Sequence, residues 1–125
     1  MKIYSTLILS LVFLAGCSKQ DSISEAVLVY ENRNALQCET TGITPAQSVA
    51  KLNAAGIEVS KTHCGHKTGV MYPAACGMGT GSILIHEITQ ADLAAAQQAG
   101  FGIVAELLNS EQGTGYEIVE CEVIE

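Results

Sequence analysis

The stretch SILIHEITQADLAAAQQAGFGIV, Ser82 to Val104, decides the fold, because an earlier part of the chain repeats its plan. Ser82-Ile83-Leu84-Ile85-His86-Glu87-Ile88 is an apolar, β-branched run of strand length. Thr89 then stands where a helix N-cap belongs, an alanine-rich body follows, and Gly100 closes it ahead of Phe101-Gly102-Ile103-Val104. Asp92, three residues after Thr89, approximates a capping box with a shorter acid. Upstream, Ala26-Val27-Leu28-Val29-Tyr30-Glu31 is another strand-like run. Ile43-Thr44-Pro45-Ala46 opens a second alanine-rich body, which reaches Gly56-Ile57-Glu58-Val59. Pro45 occupies the first helical position, where a missing N–H costs nothing.

Two strand–helix–strand units in tandem predict an α+β protein, a ferredoxin-like βαββαβ sandwich with two helices on one face of an antiparallel sheet. Gly113-Thr114-Gly115 then signals a turn, and Tyr116 to Val123 approximates alternation. That predicts an extra C-terminal edge strand reached by a hairpin, with its glutamates blunting the edge against self-association.

The N-terminus carries a different signal. Lys2 gives a positive start, and Ile3 to Leu14 form an apolar run, broken by Tyr4 and small hydroxyl side chains, that is too short for a stable membrane span. Two small residues then precede Cys17. Leu14-Ala15-Gly16-Cys17 resembles the lipobox of bacterial lipoproteins. The resemblance implies removal of residues 1–16, acylation of Cys17, and residence in the bacterial cell envelope. Ser18, where an aspartate would imply inner-membrane retention, implies the periplasmic face of the outer membrane. Two or more acyl chains anchor a protein stably, where one binds only marginally. Residues 17–25 then read as lipidated cysteine plus polar tether, and residues 26–125 as a single α+β domain.

Charge narrows the partners. Six Lys and Arg face 13 Asp and Glu, a formal net charge of −7. Phosphate backbones are bound mainly through Lys and Arg, so no nucleic-acid partner is expected. Anionic lipid would not attract such a chain either, which leaves membrane contact to the acyl anchor. A protein or peptide of the envelope is the expected partner, by strand addition to a free sheet edge.

Five cysteines are present. With Cys17 assigned to lipid, Cys38, Cys64, Cys76 and Cys121 form an even set, and an exported protein meets oxidising conditions, so two disulfides are expected. The topology places the four at one end of the sheet. Cys64–Cys76 with Cys38–Cys121 is the pairing expected, with Cys38–Cys64 and Cys76–Cys121 as its rival.

The segment Thr62-His63-Cys64-Gly65-His66-Lys67, with Cys76 beyond it, holds the most reactive side chains. His63, Cys64, His66 and Cys76 could ligate zinc or copper, with Met78 as a soft ligand for reduced copper. No C-x-x-C pair occurs, however, and disulfides compete for the cysteines. The pair of histidines therefore reads as exposed loop residues, with no cofactor; a metal-binding or redox lipoprotein is the alternative. Cys64 lies beside His63 and His66, but neighbours on a strand point to opposite faces, which argues against a Cys–His nucleophile. Gly77-Met78-Gly79-Thr80-Gly81 leads into a strand rather than a helix N-terminus, so it lacks the geometry of a phosphate loop. His86 reads as facing the polar side of its strand or pairing with a neighbour. No nucleophile–base signature emerges, and a non-enzymatic binding domain is the functional expectation.

Leu36-Gln37-Cys38-Glu39, Ala55-Gly56-Ile57 with Val59, Cys64-Gly65, Cys76-Gly77 and Gly100-Phe101 together resemble a group of small, uncharacterised exported bacterial proteins with four cysteines. These shared positions define a scaffold, and the resemblance implies no functional residue.

Overall fold

The computed structural model describes Gly16 and residues 25–121. The expectations for the leader, Cys17 and the tether up to Ser24 lie outside the described residues. Within them the chain forms β1 (Ala26–Asn32), α1 (Pro45–Ala54), β2 (Lys61–Thr68), β3 (Ser82–Thr89), α2 (Leu93–Gln98), β4 (Gly102–Ile103) and β5 (Gly115–Val119). Short 3-10 turns lie at Gln90–Asp92, ahead of α2, and at Val104–Leu107, after β4. The five strands make one antiparallel sheet in the order β4-β1-β3-β2-β5. This is the expected α+β sandwich of ferredoxin-like topology, with an added edge strand.

Local chemistry accounts for both helices. Thr44 caps α1: its hydroxyl accepts from Gln47 N at 3.1 Å, and Gln47 Oε1 accepts from Thr44 N at 2.8 Å, a complete capping box with Pro45 in the first turn. At the C-terminus Gly56 has φ +78°. Gly56 N donates to Asn53 O and Ile57 N to Leu52 O, each at 3.0 Å, the Schellman arrangement. α2 ends the same way, with Gly100 at φ +97°, Gly100 N donating to Gln97 O and Phe101 N to Ala96 O. Its start differs from the sequence expectation. Thr89 makes no capping bond to the backbone; its hydroxyl bonds Asp92 Oδ2 at 3.0 Å, and a 3-10 turn precedes the helix.

The helices cover one face of the sheet. Leu52 of α1 and Ala96 of α2 pack with Val29, Ile88, Ile57 and Phe101 in a core where all six are at most 3% exposed. Ile83, Ile85 and Val104 form a second cluster, with Leu28, Tyr30, Leu107 and Tyr116 packed against it. Strand alternation explains the two sets: Leu84, His86 and Ile88 point one way along β3, Ile83 and Ile85 the other.

Three expectations are corrected. The second strand is Lys61–Thr68 rather than the segment ending at Val59, because Ile57 completes the helix cap and the strand begins four residues later. Thr62 to Lys67 is thus central strand, not loop. β4 is only two residues long, and Val104 turns away into a 3-10 turn. β5 pairs with β2, not with β4, so the chain crosses to the opposite edge of the sheet.

That crossing changes the cysteines. The disulfides are Cys38–Cys76 and Cys64–Cys121, neither of the pairings expected. β5 runs antiparallel to β2, from Thr68↔Gly115 to Cys64↔Val119, so Cys121 descends past Cys64 instead of rising to meet Cys38. The four cysteines therefore do not gather at one end. Cys38–Cys76 lies where β1 and β2 finish, and Cys64–Cys121 lies part-way down the β2–β5 edge.

Candidate functional site

β1 ends at Asn32, and the chain makes an eleven-residue excursion, Arg33 to Ile43, before α1 begins. Backbone bonds fasten this loop to the segment leading into β3. Gln37 N donates to Met78 O at 2.9 Å, Gly77 N to Gln37 O at 2.8 Å, and Thr80 N to Ala35 O at 3.2 Å, while Cys38–Cys76 adds a covalent tie. Asn34 and Cys38 both take left-handed backbone, φ 58° and 65°, which non-glycine residues rarely adopt. Gly42 has φ +80°, and a Cβ there would lie 1.9 Å from Arg33 O, so only glycine lets the loop fold back onto its own start.

The loop and the Thr80–Ser82 segment enclose an open pocket of about 420 Å³, with Arg33 in its wall. Arg33 is 4% exposed. Its Nε donates to Ile43 O at 2.9 Å, while Nη2 is buried with no partner among the described residues. Glu39 is the other charged residue lining the pocket. Thr40 Oγ1 accepts from Gly42 N at 3.0 Å and Thr80 Oγ1 from Ser82 N at 3.3 Å, so each hydroxyl keeps its proton for a further acceptor. The pocket wall is therefore rich in donors.

A second polar cluster lies below, between α1 and the sheet. His86 and Ser48 are both fully buried. Ser48 Oγ donates to Glu31 Oε1 at 2.5 Å and stands 2.7 Å from His86 Nε2, while Thr62 Oγ1 stands 3.0 Å from His86 Nδ1. Lys51 Nζ bonds the other Glu31 oxygen. Ser48 has a single proton, given to Glu31, so its oxygen accepts from His86 Nε2–H, and Nδ1 accepts the Thr62 hydroxyl. Every group is satisfied by a neutral imidazole. Burial holds His86 below its ordinary range, against the opposing pull of the Glu31 carboxylate. Phe101 meets the imidazole edge-on at 5.8 Å between centroids.

Serine, histidine and carboxylate together invite a catalytic reading, which the geometry denies. The carboxylate sits on the serine rather than on His86 Nδ1, where it would orient a general base. Ser48 also has no path to a substrate beneath α1. The cluster clamps the helix to the sheet. His86 thus pairs with its neighbours instead of facing solvent, the second of the two readings its sequence position allows.

The four residues considered as metal ligands do not converge. His63 and His66 lie on opposite faces of β2, Cys64 is bonded to Cys121, and Cys76 to Cys38. No group of three or more His, Cys, Asp or Glu with metal-binding geometry occurs among the described residues. No helix among them is long and apolar enough to cross a membrane. No motif marks the Arg33 pocket, whose walls come from two distant segments.

Comparison with protein families, with curated proteins and with solved structures finds no match for this chain.

Proposed function

We propose that this protein is a non-enzymatic binding module, held in the bacterial cell envelope by a lipid on Cys17 and exposed on the periplasmic face of the outer membrane. Leu14-Ala15-Gly16-Cys17 and Ser18 support the address. The two disulfides among the remaining cysteines agree with an oxidising compartment. The observation that carries the binding role is the Arg33 pocket. A disulfide and two left-handed non-glycine residues hold it open, where a loop with no ligand to receive could collapse onto a buried cation. The β5 edge, where Ile118 is 55% and Val119 40% exposed, offers a peptide partner a strand to extend.

Native mass spectrometry of the protein extracted from its own membranes tests both halves. The expected species begins at Cys17, carries acyl chains and two disulfides, and releases a small bound molecule on activation. Unmodified protein beginning at Met1 overturns the anchoring, and a bare domain that binds nothing from an envelope extract overturns the binding role.

A further inference from the structure

The buried polar cluster at His86 is internally satisfied and needs no ligand. The apolar hollow beside Val104, Leu108 and Tyr116 has nothing to say what covers it. The Arg33 pocket differs from both, because it contains a demand that no described residue meets.

We infer that the Arg33 pocket binds a singly charged carboxylate, seated on the guanidinium and on the Thr40 and Thr80 hydroxyls. This deepens the binding role proposed above and rests on it.

A guanidinium is charged at every accessible pH, and a buried charged donor without an acceptor is costly, so such groups are almost always paired. The ion pair found among the described residues joins Lys51 to Glu31 and leaves Arg33 aside. Nε is committed to Ile43 O, and neither the lining hydroxyls nor Glu39 bonds Nη2. A wall that presents a guanidinium and two hydroxyl protons fits a ligand that accepts, and a carboxylate takes a guanidinium edge in two parallel hydrogen bonds.

Charge sets the class more narrowly. One cation stands in the pocket, Glu39 lines it as well, and the chain is acidic overall. With Glu39 standing in the same wall, a phosphate dianion would bring two charges to one guanidinium, whereas a carboxylate brings one. At about 420 Å³ the pocket has room for more than the carboxylate, in the range of ordinary small-ligand sites. Such a group could come from a free organic acid or from the C-terminus of a peptide.

A titration of the full chain, isotopically labelled in detergent micelles and followed by NMR, tests this. The probes are sodium acetate, trialanine, trialanine amide and inorganic phosphate. Acetate or trialanine should shift the Arg33 Nε–H and the Thr40 and Thr80 amides in a saturable way, with the amide silent. Trialanine binding more tightly than acetate assigns a peptide terminus, and equal binding a free acid. Arg33→Gln should weaken binding about tenfold or more, the loss expected for a charged hydrogen bond. Thr80→Val leaves the charge in place and should weaken it by a smaller factor, which keeps the test intact if Arg33→Gln does not fold. Equal response to trialanine and its amide, preference for phosphate, or unchanged affinity in both variants overturns the inference. Silence toward every carboxylate also overturns it. A small molecule still released from the native protein would then leave the binding role standing, and its absence would remove both.

Discussion

Ser48 has one proton to give and two neighbours close enough to use its hydroxyl, and that shortage orders the interior of this protein. Once the proton goes to Glu31, the His86 tautomer and the Thr62 hydroxyl direction follow. Ser48→Ala removes the joint and strands the His86 N–H in the core; urea denaturation should show a loss of about 1–3 kcal/mol. Stability equal to the native protein would mean that the chain of bonds does not form. Acid should act on the same group. The unfolded imidazole takes a proton near its ordinary value of 6.5, while the buried native one resists until lower pH. Between those values the unfolded state binds more protons, so stability rises with pH and falls on acidification, by at most about 1.4 kcal/mol per pH unit. Denaturation midpoints taken at several pH values below 7 should show the decline, and His86→Gln should flatten it. Neither this cluster nor Arg33 was legible in sequence, because their partners arrive from afar. Ser48 meets residues 17 and 38 positions away.

What was legible belongs to the scale of single elements, where the cause and its effect are a few residues apart. Thr44-Pro45 with Gln47, and the glycines at 56 and 100, mark helix ends through bonds made within one turn, and the structure has those ends. β2 was misplaced for the complementary reason. Thr62-His63-Cys64-Gly65-His66-Lys67 has weak apolar alternation, and it is a strand because β3 and β5 flank it on both sides. The glycines separate two kinds of constraint. A Cβ on Gly56 would meet nothing within 4 Å, so Gly56→Ala should cost about 1 kcal/mol, from the left-handed backbone alone. At Gly42 the same backbone cost is joined by collision with the Arg33 carbonyl, and no flexible side chain can yield. Gly42→Ala should therefore be the more destabilising of the two by thermal melting. It should also raise amide exchange across residues 34–43, which Gly56→Ala should leave unchanged.

At the scale of the whole molecule, two cross-links divide their work. Cys64–Cys121 spans 57 residues and ties the last strand to the interior of the sheet, while Cys38–Cys76 spans 38 and holds the pocket loop. Replacing either pair with alanine should cost about 2–4 kcal/mol. The local consequences should differ: loss of Cys38–Cys76 should free the amides around Arg33 with the sheet still protected, and loss of Cys64–Cys121 should expose β5 and spare the pocket. Hydrogen exchange reads both. The path of β1 adds a direction to this design. The chain enters the sheet at Ala26 and leaves it at Asn32, at the end of a seven-residue strand and about 20 Å further on, immediately before Arg33. The strand therefore begins at one pole of the domain, and the pocket opens at the other. Under the anchoring proposed above, a domain held from its N-terminal pole presents the pocket at the end away from the bilayer.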